Sequence, residues 1–417
     1  MIEHGLIPAR PRRVMACALA AVAAQVAMAA MTNLDKLAAP AADRPVKVED
    51  TDLYHRYATM ALVGGRVPYR DFAVEYPPLS LPLFLLPRLV AADLRGYKLA
   101  FAAEMLLFNA ATVLLVARRV GLHEGEDRVA ARLGWYTLYL LILSRFLVSR
   151  YDAAPMFLGF LASTAWAPGR GGLGGLAASL GAMTKGYPAL VAALGSARDL
   201  SGPGAGRWRG LAAFALASAL GGLAWLALAG PGGLRRSLEY HGGRGFEYGS
   251  VYSGAQMLAA KAAGAEVAIS RDHASFSSIT PWTPGLLAMA TPIQVAALLA
   301  VGVATLRRGG GEDLVRPSAA AVLAFVVSGK VFSPQYLLWL VPFVAALGGP
   351  IGPRARRIFA AGCAATLLAP SALNFLPRTS LWVILGFNLK NALFLWLLAV
   401  LVLGRAGGGG GRRDSEA

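Results

Sequence analysis

The sequence predicts an all-α polytopic membrane protein: 56% of its residues are apolar and 15% charged, mean hydropathy is +0.53, and long apolar runs recur along the chain. An ordinary soluble domain carries about 25% charged residues. The runs 14–31, 211–229, 286–306, 358–376 and 381–403 each approach the roughly 20 residues that cross about 30 Å of hydrocarbon as a helix. Lys390, in the last run, is the one charge among them. The run 14–31 follows Arg10, Arg12 and Arg13 and contains Ala27-Met28-Ala29, which imitates a signal-peptidase site, but its length favours a retained first helix. On either reading the segment after it lies outside.

The net charge of +17 does not point to nucleic acid, because the Lys and Arg residues fall between apolar segments and form no continuous stripe. They read as topology determinants, since cytoplasmic loops are enriched in both residues. Assigning the basic stretches 1–13, 118–132, 168–172, 195–209, 307–317, 350–357 and the Gly-rich tail 404–417 inward gives a consistent alternation. The predicted spans are 14–32, 97–117, 133–149, 152–167, a split pair across 173–197, 210–230, 285–305, 317–329, 333–349, 358–376 and 381–403, about twelve in all. Both termini are then cytoplasmic, in a bacterial inner membrane, and residues 14–403 form a single transmembrane domain. The stretch 79–92 is too short for a full span and contains Pro82 and Pro87, so a re-entrant or interfacial element is expected. The pair across 173–197 is predicted as two half-helices meeting near Lys185–Pro188, because one helix would strand Arg198, Arg207 and Arg209 outside.

This topology, fixed by loop charge, gathers the titratable residues on the outer face. The long first outer loop, 32–96, carries Asp50, Asp52, Tyr54, Tyr69, Asp71, Glu75 and Tyr76; the second, 231–284, carries His241, Arg244 and Glu247. Short tips add Arg150 and Asp152, Lys185 and Tyr187, then Lys330, Gln335 and Tyr336. Ionisable groups abutting apolar spans are costly unless paired or facing water, and so are functional candidates. Cys17 and Cys363 sit inside apolar runs and read as packing residues. The run His123 to Asp127 falls inside and reads as a solvated loop. There is no zinc-helix spacing, nucleophile elbow or phosphate-cradling Gly-rich loop. A carboxylate base with Lys and Arg beside a phosphate fits the residues better: the base takes a proton from an acceptor hydroxyl and the cations stabilise a departing phosphate. No cofactor is predicted, and a metal requirement stays open.

The stretches Asp52-Leu53-Tyr54, Pro68-Tyr69-Arg70-Asp71-Phe72 and Glu75-Tyr76-Pro77-Pro78-Leu79 resemble the first-loop signature of glycosyltransferase family 87, polyprenyl-phosphate-mannose-dependent membrane enzymes. Arg150-Tyr151-Asp152, Lys185-Gly186-Tyr187-Pro188, 240–250 and 330–339 resemble further family segments in the family's order, so the resemblance covers about residues 50 to 345. It departs at Gly186 and at Phe246-Glu247-Tyr248. It implies a GT-C-type fold, a catalytic carboxylate in the first outer loop, a polyprenyl-phosphate sugar donor and a glycolipid or glycan acceptor among membrane lipids.

On that resemblance Asp52 is expected as general base, with Asp50 as the alternative and a capping role as the plain structural one. Lys185 and Arg244 are expected at the phosphate, Lys330, Gln335 and Tyr336 at the donor, and His241 in proton transfer. Asp71 could equally pair with Arg70 or cap a turn. The expected activity is an inverting transfer of a hexose, mannose foremost, at the outer face. Transfer of another lipid-linked sugar, a pentose or an aminosugar, is the nearest alternative within enzymes. A flippase of lipid-linked sugar fits less well, because the charges gather at one face and no inverted repeat is present.

Overall fold

The computed structural model describes residues 11–38, 49–166, 171–202, 206–272, 275–308, 313–372 and 376–404. It is an all-α polytopic bundle with one small hairpin. In chain order the helices are α1 (Pro11–Ala38), α2 (Asp50–Leu62), α3 (Ser80–Val90), α4 (Leu94–His123), α5 (Val129–Ser149), α6 (Ala153–Ala165), α7 (Gly172–Thr184) and α8 (Ala189–Ser201). They continue as α9 (Arg209–Gly242), α10 (Val251–Ala262), α11 (Thr283–Arg307), α12 (Val315–Ser328), α13 (Val341–Ala345), α14 (Gly352–Ala372) and α15 (Leu381–Leu403). Strands β1 (Ala268–Asp272) and β2 (Ser275–Ile279) form an antiparallel pair before α11.

Six helices among the described residues are long and apolar enough to cross a membrane alone: those within α1, α4, α5, α9, α11 and α15. The others that traverse the bundle are shorter. Helices α6, α7 and α8 have 13 residues each, or about 20 Å at 1.5 Å per residue, and they pack against longer neighbours. The expected split pair is present, with α7 and α8 meeting at 185–188. The expected span 333–349 is not one α-helix: a 3-10 segment, Pro334–Leu340, precedes the single-turn α13. Pro334 and Pro342 explain the break, since neither has an N–H to give an α-helical ladder.

The two long loops expected on the outer face, 32–96 and 231–284, contain more structure than their sequences suggest. The first holds α2 and the short α3, which fits the expected re-entrant element over 79–92. The second begins with a continuation of α9 beyond Gly230, whose φ of +66° turns the chain before Pro231 starts the next turns. Helix α10 and the hairpin follow. Tyr69 has a φ of +65°, a conformation that only a few per cent of non-glycine residues adopt; its buried ring packs against Trp225 and its hydroxyl donates to the Tyr76 carbonyl at 2.7 Å.

A polar chain runs through the middle of the bundle. Asn109 Nδ2 donates to Gln25 Oε1 at 2.6 Å, Gln25 Nε2 to Thr137 Oγ1 at 2.9 Å, and the Tyr136 hydroxyl to Asn109 Oδ1 at 2.8 Å. It fixes α1, α4 and α5 against one another where hydrocarbon offers no alternative partner. The end of the bundle opposite the motifs is basic and paired: Arg13 with Asp127, Arg132 with Glu124 and Arg119 with Asp313. At the same end Trp166 Nε1 donates to Asp199 Oδ2 at 2.9 Å and Arg198 donates to the Trp166 carbonyl at 3.0 Å. Glycines make room for that indole: a Cβ on Gly195 would lie 2.3 Å from Trp166 Cε2.

Gly195→Ala is therefore expected to cost about 1–3 kcal/mol through overpacking. Gly172→Ala, at the open start of α7 with nothing within 4 Å of the new methyl, should stay within about 0.5 kcal/mol of the parent. Thermal denaturation of the two variants in detergent checks the difference.

Candidate active site

The side chains singled out in the sequence meet where four helix ends converge: the start of α2, the α5–α6 turn, the α7–α8 turn and the 3-10 segment before α13. Glu49 and Asp52 form a reciprocal capping box at the start of α2. Asp52 Oδ2 accepts the Glu49 N–H at 2.9 Å, and Asp52 Oδ1 lies 2.7 Å from Lys98 Nζ, which also reaches Glu49 Oε2 at 3.4 Å. Both Asp52 oxygens are thus engaged, Oδ2 in the cap of α2 and Oδ1 in holding α2 to the start of α4. Asp50, in the same first turn, instead ion-pairs with Arg150 at the end of α5.

Asp152 is the buried centre of the next layer, at the start of α6. Its Oδ1 lies 2.7 Å from Lys185 Nζ and accepts the Trp339 indole N–H at 2.6 Å. Asp152 Oδ2 is buried and accepts no hydrogen bond among the described residues. The Lys185 ammonium also sits 4.5 Å above the Tyr151 ring and 5.3 Å above Trp339, so it is held by aromatic faces as well as by a carboxylate. Burial draws the Lys185 ammonium below the ordinary lysine range, and Asp152 opposes that shift.

Trp339 is sandwiched between Tyr187 and Tyr336, at 4.3 Å from each ring centroid. The 3-10 geometry accounts for the second contact, because residues three apart eclipse in such a helix. Tyr187 is further fixed by its hydroxyl, which donates to the Pro155 carbonyl at 2.7 Å. On the first-loop side Tyr54 lies flat on Phe84 at 4.1 Å and meets Tyr76 and Tyr151 edge-on at 5.7 and 5.9 Å. Burial pushes the Tyr54 and Tyr76 phenols well above their ordinary range, so both are neutral groups near pH 7. The Glu75 carboxylate acts electrostatically on Tyr54, Tyr76 and Lys185, which sets it at the edge of the same cluster.

Arg244 is half-buried, with Nη2 3.5 Å from Ser275 Oγ, and its charge is felt by Tyr336 and Glu247. Lys330 and Gln335 flank that position: the Lys330 carbonyl accepts the Glu247 N–H at 2.9 Å, and Gln335 Oε1 accepts from Ser333 Oγ at 2.5 Å. Two candidates take other parts. Asp71 accepts the Val67 N–H at 2.7 Å and pairs with exposed Arg70 at 3.0 Å, so it closes the loop around Tyr69, and Arg70 holds its carboxyl below the usual range. Tyr69 braces that loop against α9. The side chain of His241 lies outside the described residues.

Three contributors were not singled out in the sequence: Trp339 at the end of the stretch 330–339, Lys98 at the foot of a predicted span, and Lys390 alone in the last apolar run. Lys390 donates to the Gly249 carbonyl at 2.6 Å and lies 3.7 Å from the centroid of Phe332. The one available signal was a charge inside a lipid-length run. Among the described residues no three His, Cys, Asp or Glu side chains gather as a metal-binding group.

A helical membrane bundle of GT-C type, with carboxylates and cations collected at one end, defines the class as a membrane glycosyltransferase. The chain belongs to glycosyltransferase family 87, whose family model matches residues 74–334, more than half of its length. The match begins after Asp50, Asp52 and Asp71 and ends before Gln335 and Lys390. No curated protein and no solved structure matches the chain.

Removing the Asp152 carboxylate leaves the largely buried Lys185 ammonium without its anion, which costs up to about 3–5 kcal/mol. Asp152→Asn should therefore unfold at markedly lower temperature than the parent. The double variant Asp152→Asn with Lys185→Met should recover much of that stability, measured by thermal denaturation in detergent, without recovering transfer activity.

Proposed function

We propose that the protein transfers a hexose, mannose foremost, from a polyprenyl-phosphate carrier to a hydroxyl of an envelope glycolipid or glycan at the outer face of a bacterial inner membrane. The observation that carries this reading is the pairing of Asp50 with Arg150 beside the Asp152–Lys185 pair, at the end of an apolar bundle. A lipid-linked donor has one part for each half of that arrangement. Its sugar phosphate suits the cations Arg150, Lys185 and Arg244, and its hydrocarbon suits the bare apolar flanks of α9 and α11. None of the most apolar stretch of α9 is buried inside the protein, and only 11% of that of α11.

Asp50 is the better general base of the two first-turn carboxylates. Asp52 is engaged at both oxygens in the cap and with Lys98. The partner of Asp50 is an arginine for which a donor phosphate competes, so donor binding frees the carboxylate at the moment it is needed. Asp50 then takes the proton of the acceptor hydroxyl, and the acceptor oxygen forms a bond to the anomeric carbon from the face opposite the phosphate. The bond from that carbon to the phosphate oxygen breaks, and the carrier phosphate departs with the electron pair. Arginine forks and the Lys185 point charge stabilise that developing charge. Inversion follows from the single displacement. The unpaired Asp152 Oδ2 is an acceptor for a sugar hydroxyl. The basic loops at the far end of the bundle support an inward orientation for that end and for both termini, with the site outward.

Vesicles carrying wild type, Asp50→Asn or Asp52→Asn, matched for folded protein, would be supplied with radiolabelled polyprenyl-phosphate-mannose. Asp50→Asn should lose at least about 100-fold in rate. Asp52→Asn should keep most of its rate while losing about 1 kcal/mol of stability from the weakened cap. The reverse ranking would make Asp52 the base. No transfer by the wild type would remove this donor and send the search to polyprenyl-linked pentoses.

A further inference from the structure

The first loop carries a second surface, on the side of α2 turned away from the site. Tyr54 faces the cluster, and Arg56 lies about 200° further around the helix at roughly 100° per residue, with its side chain exposed. Arg56, Thr59 and Val63 share that outer face, because residues three and four apart are neighbours on a helix. Two contacts join this face to the elements that follow. Arg88 Nε of α3 donates to Thr59 Oγ1 at 3.4 Å. His55 Nε2 donates to the Ala92 carbonyl at 3.2 Å, and its ring meets Tyr97 edge-on at 4.9 Å. The turn from α3 into α4 therefore lies along α2, and Arg56, Arg88 and Arg95 border one seam.

The seam is cationic. The carboxylates of this part of the chain are engaged elsewhere: Glu49 and Asp52 with Lys98, Asp50 with Arg150, Asp71 with Arg70, and Asp93 Oδ2 with the Gly96 N–H at 2.9 Å. Among the described residues no ion pair joins Arg56, Arg88 or Arg95 to an acid. One edge of the seam is also apolar. Helix α3 buries Leu81, Leu83, Phe84 and Pro87 and leaves Leu86, Leu89 and Val90 bare, the last two 68% and 80% exposed. That edge runs into α4, which is long and apolar enough to span a membrane and whose Leu99 is exposed one turn beyond Arg95. The arginines thus stand where a spanning helix leaves the hydrocarbon. An apolar edge bordered by cations is the pattern of a segment lying in the membrane interface.

We propose that this seam seats an anionic phospholipid of the leaflet bordering the site, a lipid distinct from the sugar donor. Its phosphodiester meets Arg56, Arg88 and Arg95, whose planar forks match phosphate oxygens, and its acyl chains lie along Leu86, Leu89 and Val90. Charge and shape both favour that occupant. A soluble anion would answer the cations and leave the apolar edge in water. A protein partner or a second copy would have to displace lipid along an edge continuous with a spanning helix. The seated lipid holds α2 from behind, while the opposite face of the same helix carries Tyr54 into the site.

The experiment uses the full chain in phosphatidylcholine nanodiscs that contain phosphatidylglycerol with a photoactivatable diazirine in its headgroup. After irradiation, mass spectrometry of peptides should find the label within 56–63 and 82–99. Unlabelled phosphatidylglycerol should compete it away, and extra phosphatidylcholine or soluble glycerol phosphate should not. Native mass spectrometry then compares phosphatidylglycerol binding by wild type, by Arg56→Gln with Arg95→Gln, and by Lys261→Gln with Arg271→Gln, which removes two exposed cations from α10 and the hairpin. The first pair should weaken binding about 30-fold, and the second should stay near wild type. Equal losses in both pairs would reduce the effect to general charge attraction and overturn the proposal. Label absent from 56–63 and 82–99 overturns it as well, and so does equal competition by glycerol phosphate, which would make the seam a site for soluble anions. A dimer in the discs that shields 82–99 from the label would make the edge a contact between copies instead. The labelling needs only the wild type, so it decides the matter if the arginine variants do not fold.

Discussion

The Asp152 carboxylate, buried between the Lys185 ammonium and the Trp339 indole, ties together the α5–α6 turn, the α7–α8 turn and the segment leading into α13. Each of those turns breaks an apolar helix, and a broken helix in hydrocarbon leaves carbonyls and N–H groups needing partners. The carboxylate and the stacked rings of Tyr187, Trp339 and Tyr336 hold the breaks in register. Because only 17% of the lysine side chain is exposed, neither partner is dispensable, and the pair dictates where the neighbouring backbone can lie. Arg150, two residues before Asp152, is thereby presented to Asp50.

Short helices give the protein its asymmetry. A 13-residue helix cannot cross the hydrocarbon unaided, so α6, α7 and α8 pack against α4 and α9, and their ends become lined with polar side chains. At the motif end those side chains form the candidate site; at the other they form the Trp166, Arg198 and Asp199 knot and the arginine pairs. The chain of Gln25, Asn109, Tyr136 and Thr137 between them sets the relative depth of the long helices, which apolar packing alone specifies weakly in lipid. Stability and site geometry are thus supplied by different polar networks on the same helices.

Much of this was legible in the sequence because it is written locally. Apolar run lengths gave the long helices, loop charge gave the two ends, and the charge of Arg198, Arg207 and Arg209 forced the division of 173–197 that α7 and α8 display. The charged short tips at 150–152, 185–187 and 330–336 marked where side chains would gather. What could not be read was pairing. Asp52 and Asp50 are two residues apart and look equivalent in one dimension, yet the helix carries one to Lys98 and its own cap, and the other to Arg150. Trp339 meets Asp152 across 187 positions, a relation that periodicity does not contain. The 3-10 character of 334–340 was hidden for a similar reason, since its composition is that of a span and only the two prolines hinted otherwise.

Lys390 belongs to α15, the last helix described, and so emerges from the ribosome after every other element of the site. Until α15 docks, the Gly249, Ser250 and Gly254 carbonyls lack the donors that Lys390, Asn391 and Asn388 bring to them. The half-made bundle is therefore unsatisfied at that turn. The turn is completed in one late step of biogenesis, and a chain stalled before that step keeps bare carbonyls where the finished protein has ammonium and amide donors.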